Sequence, residues 1–136
     1  MARHVAARVS EVPPGGRKRV LLGRHAVALF NLGGEYFALL DKCPHQGASL
    51  CAGRIGGLVE SAGPGDYRTS RRGEIIRCPW HAWAFDIRTG KSWCDPGLRA
   101  RSFPAAVETG AALVEGPYVA TTFPVTVEDD YVVIEL

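Results

Sequence analysis

Short apolar runs, rich in β-branched and aromatic residues and broken by turn-forming ones, set the rhythm of this chain. Val20-Leu21-Leu22 and Ala26 to Phe30 flank Gly23-Arg24-His25, a spacing that predicts a β-hairpin. Asn31-Leu32-Gly33-Gly34 then turns the chain into a further apolar segment, Glu35 to Leu40. Glu74-Ile75-Ile76-Arg77 and Ala84-Phe85-Asp86-Ile87 form another pair around a stretch that bears Cys and His. Near the carboxyl end, Val125-Thr126-Val127 and Tyr131 to Ile134 are predicted to face each other across Glu128-Asp129-Asp130. No segment sustains a 3.6-residue period, so the pattern predicts an all-β, antiparallel fold and not a helical one.

Two stretches read as surface loops. Ser61 to Gly73 is rich in Gly, Pro and charge, and Asp95-Pro96-Gly97 punctuates the chain after Trp93. Residues 105–117, rich in Ala and Gly, read as a connection with no assignable structure, and no internal repeat is present.

At 136 residues the chain has room for one domain with a real core. The net charge of +2, with no long Lys/Arg run, argues against a nucleic-acid partner. No apolar stretch of signal-peptide length follows Met1-Ala2-Arg3-His4, and none reaches the roughly 18–20 residues of a membrane span. These features predict a cytosolic protein with no membrane partner. Four cysteines in that setting are more often metal ligands, catalytic groups or buried thiols than disulfides.

The chemistry concentrates in Cys43-Pro44-His45-Gln46-Gly47-Ala48 and Cys78-Pro79-Trp80-His81-Ala82-Trp83. Each pairs a Cys with a His one or two residues on, with Pro directly after the Cys. Thiolate and imidazole together suit zinc, copper or iron–sulfur centres. Zinc fingers usually pair Cys with Cys and His with His. Here each loop supplies one of each, the ligand arrangement of a [2Fe–2S] cluster in which two histidines replace two cysteines on one iron. A structural zinc site, or buried thiols with incidental histidines, are the plainer alternatives.

With these motifs the chain resembles the Rieske family, and within it the small soluble Rieske ferredoxins. The resemblance runs from about Val5 to Leu136. It rests on both loops, on Phe85-Asp86 and Thr89-Gly90, and on the segment from Phe123-Pro124-Val125 to Leu136. It implies a sandwich-like antiparallel β base, formed by about 1–41 and 96–136, with a small cluster-binding subdomain, about 42–95, inserted in it. It also implies that Cys43 and Cys78 bind one iron and His45 and His81 the other. Two thiolates and two neutral imidazoles leave the oxidised site neutral, which raises its potential above that of all-cysteine ferredoxins.

Within the family, the respiratory branch has extra cysteines in both loops. It also has a Ser and a Tyr whose hydroxyls hydrogen-bond the cluster. The corresponding positions here are Ala48, Trp80, Trp83 and Phe85, so neither the disulfide nor those donors are available. Losing donors to sulfur lowers the potential, and the resemblance narrows to the low-potential ferredoxin branch. Ala82 stands where the family usually has Gly.

Other residues carry weaker signals. Cys51 and Cys94 read as buried or part-buried free thiols. Trp80, Trp83 and Trp93 suit a shield around the cluster, with core packing at least as suitable for Trp93. Pro96 and Pro117 compete for the role of a covering proline loop. Arg68, Arg71 and Arg72 suit docking of an acidic partner, although a solvated loop is the simpler reading. His4 and His25 read as ordinary surface or turn residues.

The resemblance implies a one-electron carrier, fed by a flavoprotein reductase and delivering to an oxygenase such as an aromatic-ring-hydroxylating dioxygenase. The alternative is an accessory subunit of a larger oxidoreductase, of the nitrite-reductase small-subunit kind. An oxygenase in its own right fails on counting, because a 2-His-1-carboxylate iron site needs two further histidines and only His4 and His25 remain. No nucleophile–base pair or glycine-rich nucleotide loop is present, so no independent catalysis is expected.

Overall fold

The computed structural model describes residues 3–44, 48–79, 83–93, 97–113, 125–126 and 128–136. In chain order the strands are β1 (Arg3–Arg8), β2 (Arg17–Leu22), β3 (His25–Leu32), β4 (Glu35–Leu40) and β5 (Arg54–Gly63). They continue as β6 (Asp66–Arg77), β7 (Ala84–Asp86), β8 (Ser102–Phe103), β9 (Ala105–Thr109) and β10 (Asp130–Glu135). A single helical turn, α1 (Gly110–Leu113), follows β9. These strands build three antiparallel sheets, ordered β1-β10-β9, β2-β3-β4-β8 and β5-β6-β7. The all-β expectation holds.

The burial pattern explains why these segments are strands. Along β3, Val27 and Leu29 face one core while Ala28 and Phe30 face another. A strand covered on both faces reads as a continuous apolar run, which is what Ala26 to Phe30 presents. The first core packs the β1-β10-β9 sheet on the β2-β3-β4-β8 sheet through Ala6, Ala7, Val20, Leu22, Val132 and Ile134. The second core joins the other face of β3 to β6, β7 and both Cys-led loops. Each fully buried Leu, Ile or Phe in it contributes roughly 1.5–3 kcal/mol.

The β2–β3 hairpin and β4 lie where the apolar pattern places them. Three other expectations are corrected. Ser61 to Gly73 is not a loop, because β5 and β6 run through it as one long hairpin. Residues 105–113 are ordered as β9 and α1. The terminal pairing also differs. Val125 and Thr126 lie outside any strand, and β10 pairs instead with β1 and β9. The buried Tyr131 side chain keeps the earlier segment close, accepting the Thr126 amide at 2.8 Å.

Candidate cluster-binding site

Strand β4 leads into the first Cys-led loop, and the second joins β6 to β7. Both close in the same way. The Cys43 amide donates to the Ala48 carbonyl at 2.7 Å, and the Cys78 amide donates to the Trp83 carbonyl at 2.8 Å. Each cysteine therefore leads a loop pinned five residues later, a turn that uses the cysteine's own backbone. Cys43 and Cys78 are 1% and 2% exposed and belong to the same apolar core, with Ala48, Leu50, Ile76 and Phe85. Neither forms a disulfide. His45, His81, Trp80, Ala82, Cys94, Pro96 and Pro117 lie outside the described residues.

Two buried carboxylates brace the surroundings of these loops; Asp41 did not stand out in the sequence, and Asp86 stood out only as part of the Phe85-Asp86 pair. Asp41 directly follows β4, and its side chain is fully buried. Its Oδ1 accepts the Cys51 amide at 2.7 Å, and its Oδ2 accepts the Ser49 hydroxyl and Arg19 Nε, each at 2.7 Å. Asp86 closes β7. It accepts Arg71 Nη2 at 2.7 Å and the Arg88 amide at 2.9 Å. The hydrogen bond to Asp86 raises Arg71 above its ordinary pKa. The available signals were slight: an Asp two residues before a loop cysteine, and an Asp inside the apolar run Ala84 to Ile87.

Arg71 reaches Asp86 because residues 71–74 of β6 bulge out opposite Gly57, with Arg71 at φ 51° and Gly73 at φ 81°. Arg71 is thus engaged with Asp86 and Glu74, which gives it a place in the fold that neither a solvated loop nor docking describes. The Arg68 and Arg72 side chains lie outside what is described. Trp93 is not core, being 44% exposed, with Lys91 and Arg71 over its ring at 5.3 and 5.8 Å. Trp83 packs against the second core. Cys51 is a half-buried free thiol as expected. His4 lies in β1, and His25 opens β3 edge-on to Phe103. Gly90, at φ 79°, approaches the Ala100 carbonyl so closely that a Cβ there would lie 2.1 Å away.

An all-β scaffold that buries two cysteine thiols, outside any disulfide, at the heads of matched loops is the kind of site that suits a metal centre. Residues 2–109 match the family model described as the Rieske [2Fe–2S] domain. The 3-phenylpropionate/cinnamic acid dioxygenase ferredoxin subunit of Shigella flexneri serotype 5b is 34% identical over 118 residues, covering 86% of this chain and 96% of that protein. Among solved structures, the Sphingomonas yanoikuyae B1 ferredoxin matches with TM-score 0.60 and 28% identity, covering 78% of this chain and 90% of its own. The ferredoxin of carbazole 1,9a-dioxygenase from Nocardioides aromaticivorans IC177 shares the fold, with TM-score 0.62 and 22% identity over 79% and 91% of the two chains. The chain belongs to the Rieske [2Fe–2S] domain family.

The cofactor is accordingly one Rieske-type [2Fe–2S] cluster, a one-electron centre. The described residues fit it: two cysteine thiols buried in one core and outside any disulfide would supply the thiolate half of the donor set such a cluster needs. Phe85, Leu50 and Ile76 around them exclude water, and the surrounding apolar shell sets the local dielectric.

Proposed function

We propose that this protein is a one-electron carrier, with Cys43 and Cys78 on one iron of the cluster and His45 and His81 on the other. The observation that carries this reading is the matched loop closure, Cys43 to Ala48 and Cys78 to Trp83, at the heads of which both thiols are buried in one core. The two loops and the β5-β6-β7 sheet make up the cluster-binding subdomain, residues 42–95, inserted in a base of 1–41 and 96–136. The electron arrives from a flavoprotein reductase and leaves to an oxygenase of the aromatic-ring-hydroxylating kind. The dioxygenase ferredoxin subunit at 34% identity supports that role. Among the described residues no helix is long and apolar enough to cross a membrane, which is consistent with a cytoplasmic carrier.

Metal analysis and electron paramagnetic resonance of anaerobically purified protein test the reading. About two iron and two labile sulfides per chain are expected, with the reduced-state spectrum of a mixed Cys/His cluster. One zinc per chain without sulfide would overturn it. The isolated chain should turn over no substrate, yet support product formation when a reductase and an oxygenase are added.

A further inference from the structure

Beside the second loop, the surface gathers positive charge that no carboxylate among the described residues cancels. Arg54 and Arg77 stand directly opposite each other as partners in the β5–β6 pairing, a relation in which like charges destabilise a sheet. Arg17 reaches the same place from β2, its Nη1 donating to the Gly53 carbonyl at 2.6 Å. Arg77 Nη2 donates to the Gly57 carbonyl at 3.0 Å. Both acceptors are neutral, so among the described residues neither guanidinium is neutralised by a carboxylate. Arg54 is exposed and has no hydrogen bond or ion pair among the described residues.

All three arginines line one open cavity of about 850 Å³, together with Cys78 and Pro79. No Asp or Glu is among its described lining residues. Several other arginines do meet a carboxylate, Arg19 with Asp41, Arg71 with Asp86 and Arg88 with Glu74. The cavity differs in gathering three in a single concavity with none among the described residues. Close packing holds the cavity floor, because a Cβ at Gly53 would lie 2.0 Å from the Arg77 carbonyl oxygen.

We propose that this cavity docks an acidic segment of a protein electron-transfer partner, whose carboxylates meet Arg17, Arg54 and Arg77; this rests on the electron-carrier reading above. Guanidinium groups present paired donors that match carboxylates. The volume far exceeds that of a single ion, since one water occupies only about 30 Å³ of liquid. A nucleic acid fits poorly, because the positive charge is confined to one concavity in a chain of net charge +2. Attraction here brings the partner to the residues that head the second loop. Such complementarity acts mainly on association rate and orientation, and it weakens with salt.

Fluorescent poly-L-glutamate serves as the probe, with binding to the holoprotein followed by anisotropy at about 10 mM ionic strength, where the screening length is roughly 30 Å. In parallel, stopped-flow mixing follows oxidation of the reduced protein by hexacyanoferrate(III), which takes one electron from the cluster and becomes hexacyanoferrate(II). Arg54→Glu changes the local charge by two units, and should weaken polyglutamate binding by at least roughly five-fold, the effect of each unit at contact distance in water. Arg24→Glu, the same change of net charge in the exposed β2–β3 turn, should leave binding close to wild type. Bound polyglutamate should slow the oxidation in wild type and in Arg24→Glu, but not in Arg54→Glu.

Equal weakening by both substitutions would overturn the docking site. So would binding lost in Arg54→Glu while wild-type oxidation ignores the polyanion. Failure of the protein to take up one electron per chain would instead overturn the carrier reading, and the anisotropy result stands apart from it.

Discussion

Asp41 Oδ1 accepts the backbone amide of Cys51 at 2.7 Å, bracing the two ends of the segment that carries the first Cys/His loop. The other oxygen holds Ser49 and Arg19, so one buried carboxylate satisfies three donors. Asp41→Ala leaves the Cys51 amide and the Ser49 hydroxyl without their acceptor. Losing charge-assisted bonds at a buried site should cost about 2–4 kcal/mol, with Arg19, half-exposed, contributing least. Chemical denaturation measures the cost, and iron content should fall in parallel because the brace spans the loop. A variant as stable and as iron-rich as wild type would show that the loop holds itself.

Asn31 provides the contrast, a buried polar side chain away from the loops. Its Nδ2 donates to the Val12 carbonyl at 2.8 Å and to Tyr36 Oη at 3.2 Å, and its Oδ1 accepts the Gly34 amide at 2.7 Å. Asn31→Leu removes all three bonds and strands the Gly34 amide, for an expected loss of about 2–3 kcal/mol. Iron content under native conditions should stay at the wild-type level. Loss of iron without loss of stability would place Asn31 in the site and contradict its surroundings.

The parts of the fold legible in the sequence were those set locally. Gly33-Gly34 and the apolar runs on either side define β3 and β4 by short-range turn chemistry and burial. At its base the β5–β6 hairpin was legible in Glu74 to Arg77, whose isoleucines are buried. Its outer part through 61–73 was not, because Gly, Pro and charged residues there take strand form through cross-strand pairing. The carboxyl-terminal strand misled for a related reason. Tyr131 to Ile134 is a strand by composition, but its partners lie in β1 and β9, far away in sequence. At the site, the cysteines were legible because their spacing to the histidines is itself the chemistry. Asp41 was not, and the bracing contacts of Asp86 were not, since only tertiary structure buries these carboxylates and supplies their donors. Trp93 looked apolar enough for a core, yet Lys91 and Arg71 cover it from the solvent side of the fold.

Burial pushes the Cys51 thiol above its ordinary pKa, and the Asp41 carboxylate pushes the same way, while Arg17 and Arg19 oppose. The thiolate is the reactive form. Alkylation at about pH 8.5, taken as the difference between wild type and Cys51→Ser, should therefore be slower than that of an unhindered thiol. The linkage has a definite sign. An acid that binds its proton more tightly when folded leaves stability intact below the unfolded pKa, near 8.5, and lowers it as pH rises toward the folded value. Cys51→Ser should remove that part of the alkaline decline. A decline identical in both proteins would assign it to other groups.

Phe85 is fully buried and Trp83 packs on the same core as both cysteines, and neither carries a hydroxyl. A sulfur without such donors holds added negative charge less well, so reduction is harder. The midpoint at neutral pH should then lie near the low end of the Rieske span, about −150 mV and not +300 mV. Phe85→Tyr together with Trp83→Ser restores the donors and should raise it, provided iron content shows that the loop still folds. The proposed ligand set, with imidazoles from His45 and His81, adds a pH dependence: reduction would place negative charge beside ligand imidazoles and favour their protonation, so a proton should follow the electron at alkaline pH. The midpoint should fall there by up to about 59 mV per pH unit. Protein-film voltammetry from neutral to alkaline pH reads both effects. A potential flat with pH would remove the histidines from the proposed ligand set, whereas a neutral-pH midpoint near the top of the span would mean that other donors replace the missing hydroxyls.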